Sequence, residues 1–247
     1  MEEHGIHISL AAEKITTFFG VPITNTLIMS FGVVVALGIL AFFIRRSLTS
    51  VPGRVQTLIE IAFTGVLDYM TETLEDAALA RKLFPFILTI FLFIFTANVI
   101  EFAPGIGSIG FFHTEGEFTP LLRSMNTDIN MTLALAFVAV FTVEMFGIMT
   151  LGALRYGKKF VNLSSFMGFV IGIIEIFSEV ARLISFSFRL FGNIFAGEVI
   201  ILVLQYFVPM VLPVPMMVFE VFVGFMQAAI FALLTLFFVK IAVAEAH

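Results

Sequence analysis

Long apolar runs separated by short charged stretches fill the chain from end to end. A helix crosses a bilayer with about 20 mostly apolar residues, so runs of that length read as spans. The first covers about 24–44 and stops at Arg45 and Arg46. The stretch 54–82 carries Glu60, Asp68, Glu72, Glu75 and Asp76, which makes it too polar to span. It reads instead as an amphipathic or surface helix. A second span covers about 83–103 and is closed by Pro104 and a glycine-rich stretch, and the loop 105–128 is polar enough to lie in water. A third span, about 129–152, ends at Arg155, Lys158 and Lys159. From 166 to 208 there is no proline, only apolar residues interrupted by charges. As one helix this segment is roughly 60 Å long, twice the hydrocarbon thickness, so it must lie steeply tilted or break in two. Pro209, Pro213 and Pro215 mark a turn before a last run at about 216–243.

The pattern predicts an all-α polytopic membrane protein forming a single membrane domain over 1–247. Its parts are an outer N-terminal segment (1–22), two spans with an inner amphipathic segment between them (24–103), a third span (129–152) and a long helical hairpin (166–243). Basic residues orient it. Arg45, Arg46, Arg54, Arg81, Lys82, Arg155, Lys158, Lys159 and Lys240 fall on one side if the segments alternate, and only Lys14 and Arg123 on the other. The N-terminus is then outside and the C-terminus cytoplasmic, which needs an odd number of crossings. Five fit, with the long segment crossing once on a slant.

Composition agrees with the pattern. The chain is 60% hydrophobic and 13% charged, with a mean hydropathy of +1.10, whereas a soluble domain carries roughly 25% charged residues. A net charge of −5 argues against a nucleic-acid partner. Cysteine is absent, which excludes disulfides and thiolate metal sites. His4, His7, His113 and His247 sit in terminal or loop segments without metal-ligand spacing, so no metal and no cofactor is expected. The N-terminal Met1-Glu2-Glu3-His4 is acidic where a secretory signal is basic. The first apolar run is therefore expected to stay as a span, and a bacterial inner membrane is the expected location.

Charges inside spans are costly and mark function by default. Those in the last two runs are Glu175, Glu179, Arg182, Arg189, Glu198 and Glu220, joined by the polar Asn193 and Gln227. At about 100° per residue Glu175, Arg182 and Arg189 share one helix face, with Glu179 and Asn193 within about 80° of it and Glu198 roughly opposite Arg189. Ile194 and Gly197 are expected on the face around Arg189. Glu175, Glu179 and Arg182 are spaced to pair with one another, so fixing helix register and carrying function are equally open for them. Arg189 differs, because no acid lies three or four positions away. An arginine is a permanent cation, so it needs a partner from another chain or an aqueous pocket. Gly168 and Gly172 form a GxxxG pair, and Gly192, Ala196 and Gly197 follow Arg189; such small residues let helices approach closely in lipid.

Two motifs mislead. Gly105-Ile106-Gly107-Ser108-Ile109-Gly110 fits GxGxxG but follows a span and Pro104 where a dinucleotide fingerprint needs a strand before it. Asn130-Met131-Thr132 and Asn162-Leu163-Ser164 fit the glycosylation pattern but sit against membrane boundaries.

The run Ser187-Phe188-Arg189-Leu190-Phe191-Gly192-Asn193-Ile194-Phe195-Ala196-Gly197-Glu198 resembles subunit a of F-type ATP synthases. The likeness extends to Asn126-Thr127-Asp128-Ile129-Asn130 and to Gln227, and is weakest before about residue 80. It implies a non-catalytic, proton-translocating stator subunit whose two long tilted helices form a hairpin against a rotor ring of c subunits, with b-type peripheral-stalk subunits as further partners. It also implies that Arg189 faces the rotor carboxylates and carries the key step. Asn193, Glu198, Glu220 and Gln227 would line an outer half-channel. Glu175 and Arg182 would lie toward an inner one, and Glu179 and Asp128 join the expected proton pathway. No nucleotide is expected on this chain. Some relatives carry histidine where this chain has Glu220, so the two carboxylates here, Glu198 and Glu220, are expected either to share a proton or to have the pKa of one of them raised. From the residues alone, a self-contained secondary ion transporter and a purely structural anchor stay open. The first lacks the repeated halves such folds show, and the second leaves Arg189 unexplained.

Overall fold

The computed structural model describes residues 12–102, 109–112, 118–160, 166–208 and 211–244. The residues of the GxGxxG loop at 105–108, the glycosylation-like site at 162–164, Pro104, Pro209 and the four histidines lie outside these.

A short hairpin opens the described chain: β1 (Lys14–Phe18) pairs antiparallel with β2 (Val21–Thr24). Phe19 and Gly20 both have positive φ, 48° and 82°, as a tight two-residue hairpin turn requires. α1 (Asn25–Ser47) follows directly. The Thr24 hydroxyl accepts the Leu27 N–H at 3.3 Å, an N-cap that satisfies one orphan donor. α1 buries Asn25, Thr26, Met29, Ser30 and Val33 on one stripe, while Phe42 and Phe43 are exposed farther along. Arg45 and Arg46 close its last turn, where cations suit the helix dipole.

α2 (Arg54–Leu74) stops because Glu75 adopts the left-handed conformation, φ 58°. Asp76 then restarts the chain: its carboxylate accepts the N–H groups of Ala78 and Leu79 at 2.8 and 3.1 Å. α3 (Ala77–Ile100) therefore begins ahead of the expected position 83 and takes Arg81 and Lys82 into its first turns. Ala80, Leu83, Ile87, Ile90, Ile94 and Ala97 are buried at alternating spacings of three and four, one continuous stripe.

A second hairpin, β3 (Gly110–Phe112) with β4 (Phe118–Pro120), precedes α4 (Ile129–Leu151). Asp128 caps α4, accepting the backbone N–H of Asn130 at 3.0 Å. Gly152, φ 81°, turns the chain into the short α5 (Ala153–Phe160). α6 (Phe166–Phe207) is one unbroken helix of 42 residues, roughly 63 Å at about 1.5 Å per residue. Of the two readings of this segment, the break is absent. α7 (Pro213–Ala244) opens with proline at its first position, where no N–H is needed.

The helices and the apolar surface they expose identify an all-α polytopic membrane protein. Among the described residues α1, α3, α4 and α7 are long and apolar enough to cross a bilayer. α6 exceeds their length but carries Glu175, Glu179, Arg182, Arg189 and Glu198. Exposed Phe31, Phe137, Phe177 and Phe222 would be untenable in water and are at home in lipid.

Contacts divide the chain into two compact units. Unit 1 holds 1–35, 93–136 and 184–229; unit 2 holds 36–92, 137–183 and 230–247.

Candidate functional site

In unit 1, packing fixes which way α6 turns. Phe186, Leu190 and Ile194 recur every four residues and are all buried. Buried Ser187 meets Thr132 of α4 at 3.1 Å, a hydroxyl pair that locks the helix rotation. Arg189 and Asn193 are thereby turned outward and exposed, together with Phe188, Gly192 and Ala196. Ile194 and Gly197, expected on this face, are buried instead. Arg189 donates a long hydrogen bond to Ser185 at 3.3 Å and makes no ion pair with the described residues.

The other face of this part of α6 meets α7. Gly197 lies directly against the Glu220 carboxylate, so that a Cβ there would overlap it. Glu220 is 3% exposed, and its Oε1 has no hydrogen-bond partner among the described residues; neither has Glu198 Oε2. A third acid completes the group. Glu101, in the turn just past the last residue of α3, faces Glu198 and Glu220, with Ser124 and Arg123 also near it. Burial pushes the Glu101 carboxyl up to about 8; Ser124 and Arg123 oppose the shift, and Glu198 and Glu220 add to it. Gln227, two turns on from Glu220, is half-buried.

Amides and hydroxyls tie together the elements of this unit. Asn98 of α3 donates to the Gly224 carbonyl of α7 at 3.0 Å and accepts from Asn126 at 2.6 Å. Gly224 is needed there, since an added Cβ would come within 2.8 Å of the Asn98 Cβ. Asp128 accepts from the Thr26 hydroxyl at 3.0 Å and from the Asn130 side chain at 3.1 Å as well as capping α4. Asn25, fully buried, accepts from the Glu13 N–H at 3.2 Å and donates to the Pro120 carbonyl at 3.4 Å. The predicted residues Arg189, Asn193, Glu198, Glu220, Gln227 and Asp128 thus fall in one unit, with Arg189 and Asn193 on its outer face.

Unit 2 gathers the remaining predicted residues. Lys159 of α5 lies 2.7 Å from Glu175 and 3.6 Å from Glu179. Arg182 pairs with Glu179 at 2.7 Å and stacks over the Phe238 ring of α7, 4.1 Å from its centroid. The expected pairing of Glu179 with Arg182 is present, and Lys159 was not foreseen as its companion. Gly172 sits against the Phe160 carbonyl and Gly147 against the Tyr156 ring, each with no room for a Cβ. Of the GxxxG pair, then, Gly172 serves close packing of α5 on α6.

Sequence reasoning missed Glu101 and Glu144, both carboxylates in or at the end of an apolar run. The rule that singled out Glu198 and Glu220, a charge where a span should be apolar, would have found them.

Comparison with known proteins extends the early likeness over nearly the whole chain. The family model described as "ATP synthase A chain" matches residues 26–240. Among similar proteins, "ATP synthase subunit a 1" of Syntrophotalea carbinolica is 34% identical, covering 84% of this chain and 80% of its own length. "ATP synthase subunit a" of Mycobacterium leprae is 32% identical over 95% of this chain and 92% of its own. The protein of the same name from Trichlorobacter lovleyi is 28% identical over 99% and 94%.

Proposed function

Since the chain belongs to the ATP synthase A chain family, we propose that it is the proton-translocating stator subunit of a rotary ATP synthase. It supplies an outer and an inner aqueous half-channel and holds Arg189 toward the carboxylates of a ring of c subunits. The subunit is non-catalytic itself. Its own helices hold it in a bacterial inner membrane beside b-type peripheral-stalk subunits, with the N-terminus outside and the C-terminus cytoplasmic, as the basic residues suggest.

One observation carries the reading. Arg189 is exposed on an apolar helix face and finds no carboxylate among the described residues. A permanent cation in that setting calls for an anion delivered from outside the chain. A rotor carboxylate satisfies it. Neutral, that group travels through lipid; beside Arg189 its ionised form is favoured and it gives up its proton. Glu198 and Glu220 deliver protons on the outer side, with Asn193 and Gln227 lining the path and Asp128 bracing it, and Glu175 and Glu179 pass them on the inner side, where Arg182 holds Glu179 in place. The membrane potential contributes about 2.3 kcal/mol per charge per 100 mV.

Cysteine cross-linking tests the rotor-facing surface. The exposed positions to use are Gly192 and Ala196, in a chain with no native cysteine. Single cysteines there should link to cysteines on the facing helix of a c subunit, and each link should stop ATP-driven pumping. If efficient control pairs link and neither position does, the stator surface lies elsewhere.

Glu101 gives the outer path a pH signature. Its carboxyl is neutral below about 8 and ionised above. As outer pH rises through that value the group stops donating protons and adds a negative charge beside Glu198 and Glu220. Proton conduction from the outer side should therefore fall across that range in the wild type. Glu101→Gln should flatten this step, as measured by passive conduction at stepped outer pH. An unchanged profile would remove Glu101 from the path.

A further inference from the structure

Glu144 is the only charged residue of α4, and nothing in the mechanism above uses it. It is half-buried, and its Oε1 is buried without a hydrogen-bond partner among the described residues. Its carboxyl faces that of Glu179 on α6, within hydrogen-bonding reach.

The charges around this pair can be counted within unit 2. α6 brings Glu175, Glu179 and Arg182, and α5 brings Lys159. α7 presents the Phe238 ring to Arg182. Three carboxyls thus meet two cations. Both cations are committed: Lys159 is closest to Glu175, and Arg182 is held by Glu179 and by the ring. Glu144 is left facing another acid with no cation of its own among the described residues. Two ionised carboxylates only accept hydrogen bonds, so side by side they repel and neither can donate. With one proton between them, one becomes a donor to the other and the cluster becomes neutral. Like charges side by side disfavour each other's ionised forms.

We propose that Glu144 and Glu179 share one proton and together form a proton-holding station of the inner half-channel, which makes Glu144 a further residue of the transport path. Its function rests on the stator reading, whereas the shared proton itself does not. A proton arriving on Glu144 would pass to Glu179 by exchange of the donor and acceptor roles, with no net charge left behind. Arg182 and Lys159 would hold the ionised partner in place meanwhile.

The test uses the complete complex reconstituted in vesicles, with Glu144→Gln, Glu144→Asp and Glu179→Gln. Glutamine keeps the shape and a donor but cannot exchange a proton. The infrared difference spectrum of wild type minus Glu144→Gln should show a protonated-carboxyl stretch that shifts in heavy water, and so should wild type minus Glu179→Gln. Rotor carboxyls cancel in both differences. Passive proton conduction, with the soluble head removed and a potassium diffusion potential applied, should fall about tenfold in Glu144→Gln. Glu144→Asp should recover it, which a merely structural role for Glu144 would not require. If neither difference spectrum shows the band, no proton is shared and the proposal fails. If the band is present but Glu144→Gln conducts normally, the pair is no part of the path and the proposal fails as well. If wild-type vesicles conduct no protons at all, the stator reading has failed, and the band still decides the protonation of the pair.

Discussion

Arg189→Ala is expected to lower ATP-driven proton pumping by about a thousandfold, below detection. Two unit charges about 4 Å apart interact by about 4 kcal/mol at the effective dielectric of a partly hydrated site, and each 1.36 kcal/mol is about tenfold. In the proposed mechanism that attraction drives the rotor carboxylate to release its proton, so without it the carboxylate would pass still neutral and carry its proton on. The side chain is exposed and its one hydrogen bond among the described residues, to Ser185, is long, so the subunit should accumulate normally in membranes. Arg189→Lys keeps the charge but replaces a planar fork with a point donor, and pumping between the alanine and wild-type levels is expected. Dye quenching in inverted vesicles, read against immunoblots of the subunit, measures both. Normal pumping by the alanine variant would sink the mechanism.

The spans were legible because apolar runs of the right length have few alternatives in a chain this poor in charge. The start of α3 was not read, although its signal was present. Asp76 before Ala77 and Ala78 is an N-cap pattern, but Arg81 and Lys82 drew the hydropathy boundary forward. The absence of proline between 166 and 208 allowed the unbroken α6 without requiring it, because hydropathy carries no information about continuity.

The polar stripe was legible as a line and not as an environment. Arg182 and Arg189 are seven residues apart and nearly in register on the helix. Yet Arg182 is half-buried against Glu179 and Phe238, while Arg189 is exposed. That difference comes from neighbours on other helices, which one helix's periodicity does not contain. The expected exposure of Ile194 failed for a simpler reason. Five residues on from Arg189 is about 140° around the helix, and buried Leu190 and Phe186 share its side.

The contact between Gly197 and Glu220 leads to the second large effect. Gly197→Ala is expected to lower proton conduction about a hundredfold, because displacing a reacting group by about 1 Å costs that much. The new Cβ would overlap the Glu220 carboxylate. That carboxylate is 3% exposed, so it cannot swing away without pushing into packed neighbours. Helix propensity works the other way: alanine in place of glycine favours the helix by about 1 kcal/mol. A loss of conduction with normal amounts of the subunit therefore reports the moved carboxyl. Gly32→Ala in α1, where an added Cβ meets nothing within 4 Å, should conduct as wild type. Glu220→Asp in the Gly197→Ala background shortens the acid by one methylene and makes room for the Cβ, so most of the conduction should return. Glu220→Asp alone retracts the carboxyl from its partners and should be slower than wild type. Wild-type conduction in Gly197→Ala, or no recovery in the double variant, would show that the position of the Glu220 carboxyl does not limit proton flow.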